Sequence, residues 1–232
     1  MKIALLSTLF MCLSSFHPFE KDILAAVNFL RNEKKTVLEI KNSSYTVRKD
    51  SFGEGREALA IVFPEMIRWS AFRDFFETKS LETLYVLGGK SVADFSIGHF
   101  QMKPSFIENL EKYVSEHFAL NHFNYIIPSQ NNGEECRSER VKRLKQFKWQ
   151  LRYAHVYWAV ARDLFKNKTF KTPAERVHFF AAAYNYGFEK PLSDIEKWQN
   201  KVAFPYGVQY KGNQLVYANI AVEFLEKYAQ EF

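Results

Sequence analysis

A carboxylate in the middle of an apolar helical window limits how this chain can fold. Phe63-Pro64-Glu65-Met66-Ile67-Arg68-Trp69 follows directly on Ile61 and Val62. Ile61 and Val62 lie one turn before Glu65 and Trp69 one turn after, so all share its helix face. A charge on such a face is costly to bury unless it is paired or neutralised. Two arrangements satisfy this. Glu65 sits at a surface edge of the helix, or its surroundings shift its pKa. Pro64 removes a backbone donor, so the helix is expected to kink or end there, with Glu65 near a bend.

At 232 residues the chain can bury one good core or two small ones. Its 23 Phe and 12 Tyr suit a Phe-rich core, and equally a groove that stacks on sugar rings or bases. A net charge of +6 favours anionic partners, either nucleic acid, a membrane surface or an acidic wall polymer. The basic residues are scattered except in Arg137–Lys148, and no aromatic motif is interleaved with Arg and Lys. Nucleic acid is therefore not the expected partner. The N-terminus reads as a secretory signal peptide over 1–15: Lys2, an apolar run from Ile3 to Leu13, then Ser14 and Ser15. This predicts a periplasmic or secreted protein. Lipid attachment at Cys12 ranks second, because Phe10 and Met11 are bulky for a lipoprotein signal. Loss of Cys12 with the signal leaves Cys136 alone, so no internal disulfide is expected. His17, His99, His117, His122, His155 and His178 show no close ligand spacing, so no metal or other cofactor is expected.

Hydrophobic periodicity predicts one mostly α-helical domain over 51–232 with few or no short strands. It is preceded over 16–50 by a helix (about Phe19–Lys34) and an extended or hairpin segment. Ser51-Phe-Gly-Glu54 reads as a capping box opening the helix that carries Glu65. A further helix is expected over about Ala71–Leu87, broken at Gly88-Gly89. Pro104 suits the first turn of a helix reaching about Phe118. Residues 119–138 read as a loop and Glu139–Phe165 as one long helix. Thr172-Pro173-Ala174-Glu175 is a strong helix start, and Gly187 a natural stop. A short helix follows from Ser193, then a loop over Phe204–Asn213, then a closing helix from Gln214.

Three pieces carry candidate chemistry: Glu65; the loop Ser96-x-Gly98-x-Phe100-Gln101-Met102-x-Pro104; and Ala182-Ala183-Tyr184-Asn185-x-Gly187 at a helix end. Read by themselves, each has two meanings. Gln101 hydrogen-bonds a sugar or steadies a helix start. Tyr184 directs its hydroxyl toward the site or only packs. Asn185 reads an acetamido group or caps the helix. Phe100 and Tyr186 stack on sugar faces or belong to the core. Gly98 and Gly187 meet backbone demands in either case.

In order and type these pieces resemble the soluble lytic transglycosylase family of the lysozyme-like superfamily. That family has a Glu after an apolar helix, a Gly-Leu-Met-Gln-x-x-Pro motif, and Ala-Tyr-Asn-x-Gly. The resemblance covers about 54–187, and the closing helix loosely. The chain departs from the pattern at Met66, where the family has Ser, at His99-Phe100 in place of Leu-Met, and in a longer interval between Glu65 and Gly98. The resemblance implies a lysozyme-like helical domain with a cleft. It implies cleavage of the MurNAc-GlcNAc β-1,4 bond of peptidoglycan with Glu65 as sole acid and base. Gln101, Tyr184, Asn185, Phe100, Ser96 and Gly98 would bind substrate. Asp74, Glu77 and Asp94 are the nearest candidates for a second acid, and each reads as a surface charge. The partners implied are peptidoglycan glycan strands, with an envelope protein possible, and the chain is expected to be a monomer. A lysozyme-type hydrolase and an inactive glycan-binding scaffold are the alternatives.

Overall fold

A computed structural model describes residues 55–71, 78–129, 133–212 and 214–228. The expected signal peptide, the N-terminal helix and extended segment, the capping box at Ser51 and residues 72–77 of the helix expected from Ala71 lie outside the described residues. The described part is mostly helical, with one two-stranded sheet.

Helix α1 (Gly55–Ala71) is the central element. Six successive residues, Ala58 to Phe63, are buried, and so are Met66 and Ile67. A helix that is apolar all round belongs in a core. The kink or end expected at Pro64 is not a helix end: α1 continues through Pro64 to Ala71. The side chain of Trp69, predicted to face Glu65's stripe, lies outside the described part.

Helix α2 (Thr78–Gly88) ends at Gly89, whose φ of +75° takes the left-handed turn that stops it. Pro104 opens α3 (Pro104–Glu116), as its missing donor allows. The loop expected over 119–138 is instead a 3-10 segment, Phe118–Ile126, and then the start of α4 (Glu134–Leu144). Leu120, Phe123 and Ile126 repeat every third residue and are buried, which matches the 3-10 period. Glu134 and Glu135 in the first turn of α4 favour its positive end.

The single helix expected over Glu139–Phe165 is two helices, α4 and α5 (Phe147–Leu164). The chain is extended at Gln146. Fully buried Gln150 donates to the Leu144 carbonyl at 2.5 Å and so satisfies an acceptor left open by that break.

Helix α6 (Pro173–Tyr186) starts and stops where expected. Thr172 Oγ1 accepts from the Glu175 amide at 3.1 Å, and Gly187, with φ of +122°, ends it. Helix α7 (Leu192–Trp198) follows. Strands β1 (Val202–Phe204) and β2 (Leu215–Val216) pair antiparallel around the 205–212 loop, and α8 (Tyr217–Lys227) closes the chain. Helices α5, α6 and α8 pack around α1. The Tyr217 hydroxyl donates to the Ile61 carbonyl at 3.0 Å, and Phe63 meets Phe224 with ring centroids 4.2 Å apart.

Candidate active site

Glu65 is 5% exposed, yet it is a carboxyl group on the core helix. Burial raises its pKa from 4.5 to about 7, against the opposing pull of Arg68 and of hydrogen bonds from Arg68 and Asn185. Arg68 lies one turn further along α1, with Nη1 3.5 Å from Glu65 Oε2. Its side chain is 38% exposed and carries the site's charge toward solvent. Of the two arrangements open for Glu65, the buried and pKa-shifted one is found.

Asn185 comes from the last turn of α6, two residues before the Gly187 stop. Trp198 Nε1 donates to Asn185 Oδ1 at 2.9 Å. An indole N–H can only donate, so the amide oxygen must face Trp198 and the amide NH2 is left for Glu65. Tyr186 stacks on Trp198, ring centroids 4.7 Å apart, and steadies that donor. An NH2 group can bond either an ionised or a protonated carboxyl group. Asn185 is therefore placed to meet Glu65 in either proton state.

Two phenols back the carboxyl group. The Tyr184 and Tyr217 rings stack with centroids 6.4 Å apart, and both are buried. Burial first, then the charge of Glu65, holds both phenols well above their ordinary pKa, so they stay protonated. The Tyr184 hydroxyl, expected to point toward the site or only to pack, does not bond Glu65. It donates to the Phe100 carbonyl at 2.7 Å.

That bond joins α6 to the 96–102 loop. Ile97 and Met102 pair as an antiparallel bridge, and the turn between them contains Gly98 at φ +72° and Gln101 at φ +50°. The Phe100 amide donates to Gln150 Oε1 at 2.8 Å. The Phe100 ring has no exposed surface and meets Phe147 edge-on at 5.6 Å. The expectation that Phe100 stacks on sugar is therefore corrected: an apolar ring with this packing belongs to the core. Gln101 Nε2 donates to the Gly98 carbonyl at 2.7 Å and holds the turn, so this donor is committed within the loop. Ser96 is half-buried just before the bridge. Gly98 answers a steric demand, since a Cβ there would fall 1.7 Å from Gln150 Nε2.

Asn185 thus stands beside Glu65 and Tyr184 lies within reach of its charge, while Ser96, Gly98 and Gln101 shape the loop that Tyr184 grips. Asp94 accepts from the Ser105 amide at 3.0 Å and its hydroxyl at 2.7 Å, an anchor for the first turn of α3 rather than a second acid. Asp74 and Glu77 lie outside the described residues. Arg68, Tyr217, Trp198 and Gln150 complete the arrangement without having been singled out in the sequence. Arg68 had a local signal, its i,i+3 spacing from Glu65. The other three had none, because each acts on a residue distant in sequence.

Three surface depressions of about 900, 650 and 410 Å³ are lined by other residues, and Glu65 borders none of them. Among the described residues no group of three or more His, Cys, Asp or Glu side chains is disposed to hold a metal ion. No described helix is long and apolar enough to cross a membrane. Comparison with protein-family models, curated proteins and solved structures gives no match.

Proposed function

We propose that the chain is a peptidoglycan lytic transglycosylase of the soluble lytic transglycosylase type, lysozyme-like in fold, with Glu65 as its only acid and base. One observation carries this reading: Asn185, from the Ala-Tyr-Asn-x-Gly stretch, has its amide NH2 left for a buried carboxyl group whose pKa burial raises to about 7. Cleaving a glycosidic bond near neutral pH needs an acid that still holds its proton there. A carboxyl in an apolar setting is one, as in lysozyme.

In the proposed reaction Glu65 gives its proton to the oxygen linking C1 of the muramyl sugar to C4 of the next sugar. The C1–O bond breaks and the leaving sugar departs with a 4-hydroxyl. The substrate's N-acetyl oxygen relieves the positive charge at C1. Glu65, now a carboxylate, takes the proton of the muramyl 6-hydroxyl as O6 bonds to C1. The ring closes to a 1,6-anhydro end and Glu65 is an acid again. A pKa of about 7 suits both halves, because each proton state is well populated at neutral pH. Arg68 steadies the carboxylate between the two steps.

The test is digestion of purified murein by the purified protein, with mass spectrometry of the fragments. The expected products carry 1,6-anhydromuramyl ends. Cleavage that leaves only ordinary reducing ends would make the protein a hydrolase, and binding without cleavage would make it a scaffold.

A further inference from the structure

The β1–β2 hairpin stands against the same phenol that backs Glu65. β1 ends at Phe204, whose ring meets Tyr217 edge-on with centroids 5.1 Å apart. β2 runs straight into Tyr217, the first residue of α8. Whatever lies on this hairpin is therefore rooted beside the carboxyl group.

The loop of the hairpin is braced. The Gly207 amide donates to the Ala203 carbonyl at 2.6 Å, and the Tyr210 amide to the Gly207 carbonyl at 3.2 Å. Gln214 Nε2 donates to the carbonyls of Gly207 at 2.9 Å and of Tyr210 at 2.7 Å. Gly212 lets the chain pass close beneath Tyr210, since a Cβ there would come within 2.4 Å of its ring. On this frame Tyr206 and Tyr210 sit side by side, centroids 4.4 Å apart and tilted by 42°. They are 44% and 47% exposed, and Val208 beside them is also exposed. Packing in the core does not account for them. The segment from Lys201 to Gln214 carries two lysines, Lys201 and Lys211, and no acid.

We infer that Tyr206 and Tyr210 form a stacking platform for the sugar rings of an anionic glycan strand that extends from Glu65, with Lys211 facing the strand's carboxylates. The inference rests on the glycosidase reading above. A pyranose ring offers an apolar C–H face, which suits a half-exposed aromatic ring whose hydroxyl stays in water. A strand bearing lactyl and peptide carboxylates matches the loop's charge. Preorganisation by Gln214 and the two glycines limits the ordering cost of binding.

The experiment uses full-length Glu65→Gln protein, which binds without cutting, pelleted with murein sacculi. Adding Tyr206→Ala and Tyr210→Ala should weaken binding about tenfold. Adding Tyr206→Phe and Tyr210→Phe instead should preserve it, because ring faces do the work. Thermal unfolding should be unchanged in both, since the rings lie outside the core. Equal binding by the alanine variant, or binding by the phenylalanine variant as weak as the alanine one, overturns the platform and leaves the glycosidase reading standing. Failure of the Glu65→Gln parent to bind murein overturns both. As a readout that needs no tyrosine variant, the ring NMR signals of Tyr206 and Tyr210 should shift when soluble murein fragments are added. Unmoved signals with fragment bound elsewhere would also overturn it.

Discussion

Glu65→Gln is expected to lower murein cleavage on the order of 10³-fold, the usual size of a lost general acid. The same change is expected to make the protein more stable above neutral pH. Folding raises the Glu65 pKa from 4.5 to about 7, so the native state keeps a proton that the unfolded chain has released. The stability linked to that proton is complete below about pH 4.5 and falls as pH rises toward 7. Above that it is lost. At roughly 1.4 kcal/mol per pH unit the wild type gives up about 3 kcal/mol over this range. Gln has no proton to lose and can still meet the Asn185 amide. Urea unfolding at pH 8 should therefore favour Glu65→Gln by up to about 3 kcal/mol, with the two proteins closely matched at pH 4. A variant less stable than wild type at pH 8 would mean that the carboxylate holds the fold together, which is the role of a structural ion pair.

Gly98→Ala is expected to be the most damaging small substitution in the loop. Its Cβ would fall 1.7 Å from Gln150 Nε2 and 2.8 Å from the Leu144 carbonyl, at a φ of +72°. The left-handed backbone alone costs about 1 kcal/mol for alanine. Displacing Gln150 would leave the Phe100 amide and the Leu144 carbonyl buried without partners, at about 1–3 kcal/mol each. A total loss of about 3 kcal/mol or more is expected from urea midpoints. Cleavage should fall as well, because the Phe100 carbonyl that anchors Tyr184 moves with the loop. Wild-type stability in Gly98→Ala would show that Gln150 can swing away freely, and would remove the loop from the support of the site.

The features legible in the sequence were those set by neighbours along the chain. Thr172-Pro173 and Gly187 bracket α6 because a cap and a left-handed glycine act within a few residues. Pro104 opens α3 for the same reason. Glu65 was legible as an anomaly, since its apolar neighbours are adjacent on one helix. What could not be read depends on contacts through space. The break at Gln146 has no Pro or Gly to mark it, and Gln150 supports it from the next helix. Pro64 was expected to interrupt α1, but tertiary packing on all sides keeps the helix whole. Phe100 resembled a binding aromatic by its motif position, and only its packing against Phe147 shows it to be core. The Asn185 amide owes its orientation to Trp198, whose indole reaches it from another helix.

Glu65 is expected to hold its proton near neutrality. Titration of side-chain carboxyl carbons by ¹³C NMR, with the Glu65 signal assigned by its loss in Glu65→Gln, tests it directly. A pKa of about 7 is predicted for the wild type. A higher value is predicted for Arg68→Ala, which removes the charge that favours the carboxylate. A Glu65 pKa near the ordinary 4.5, unmoved by Arg68→Ala, would contradict the account.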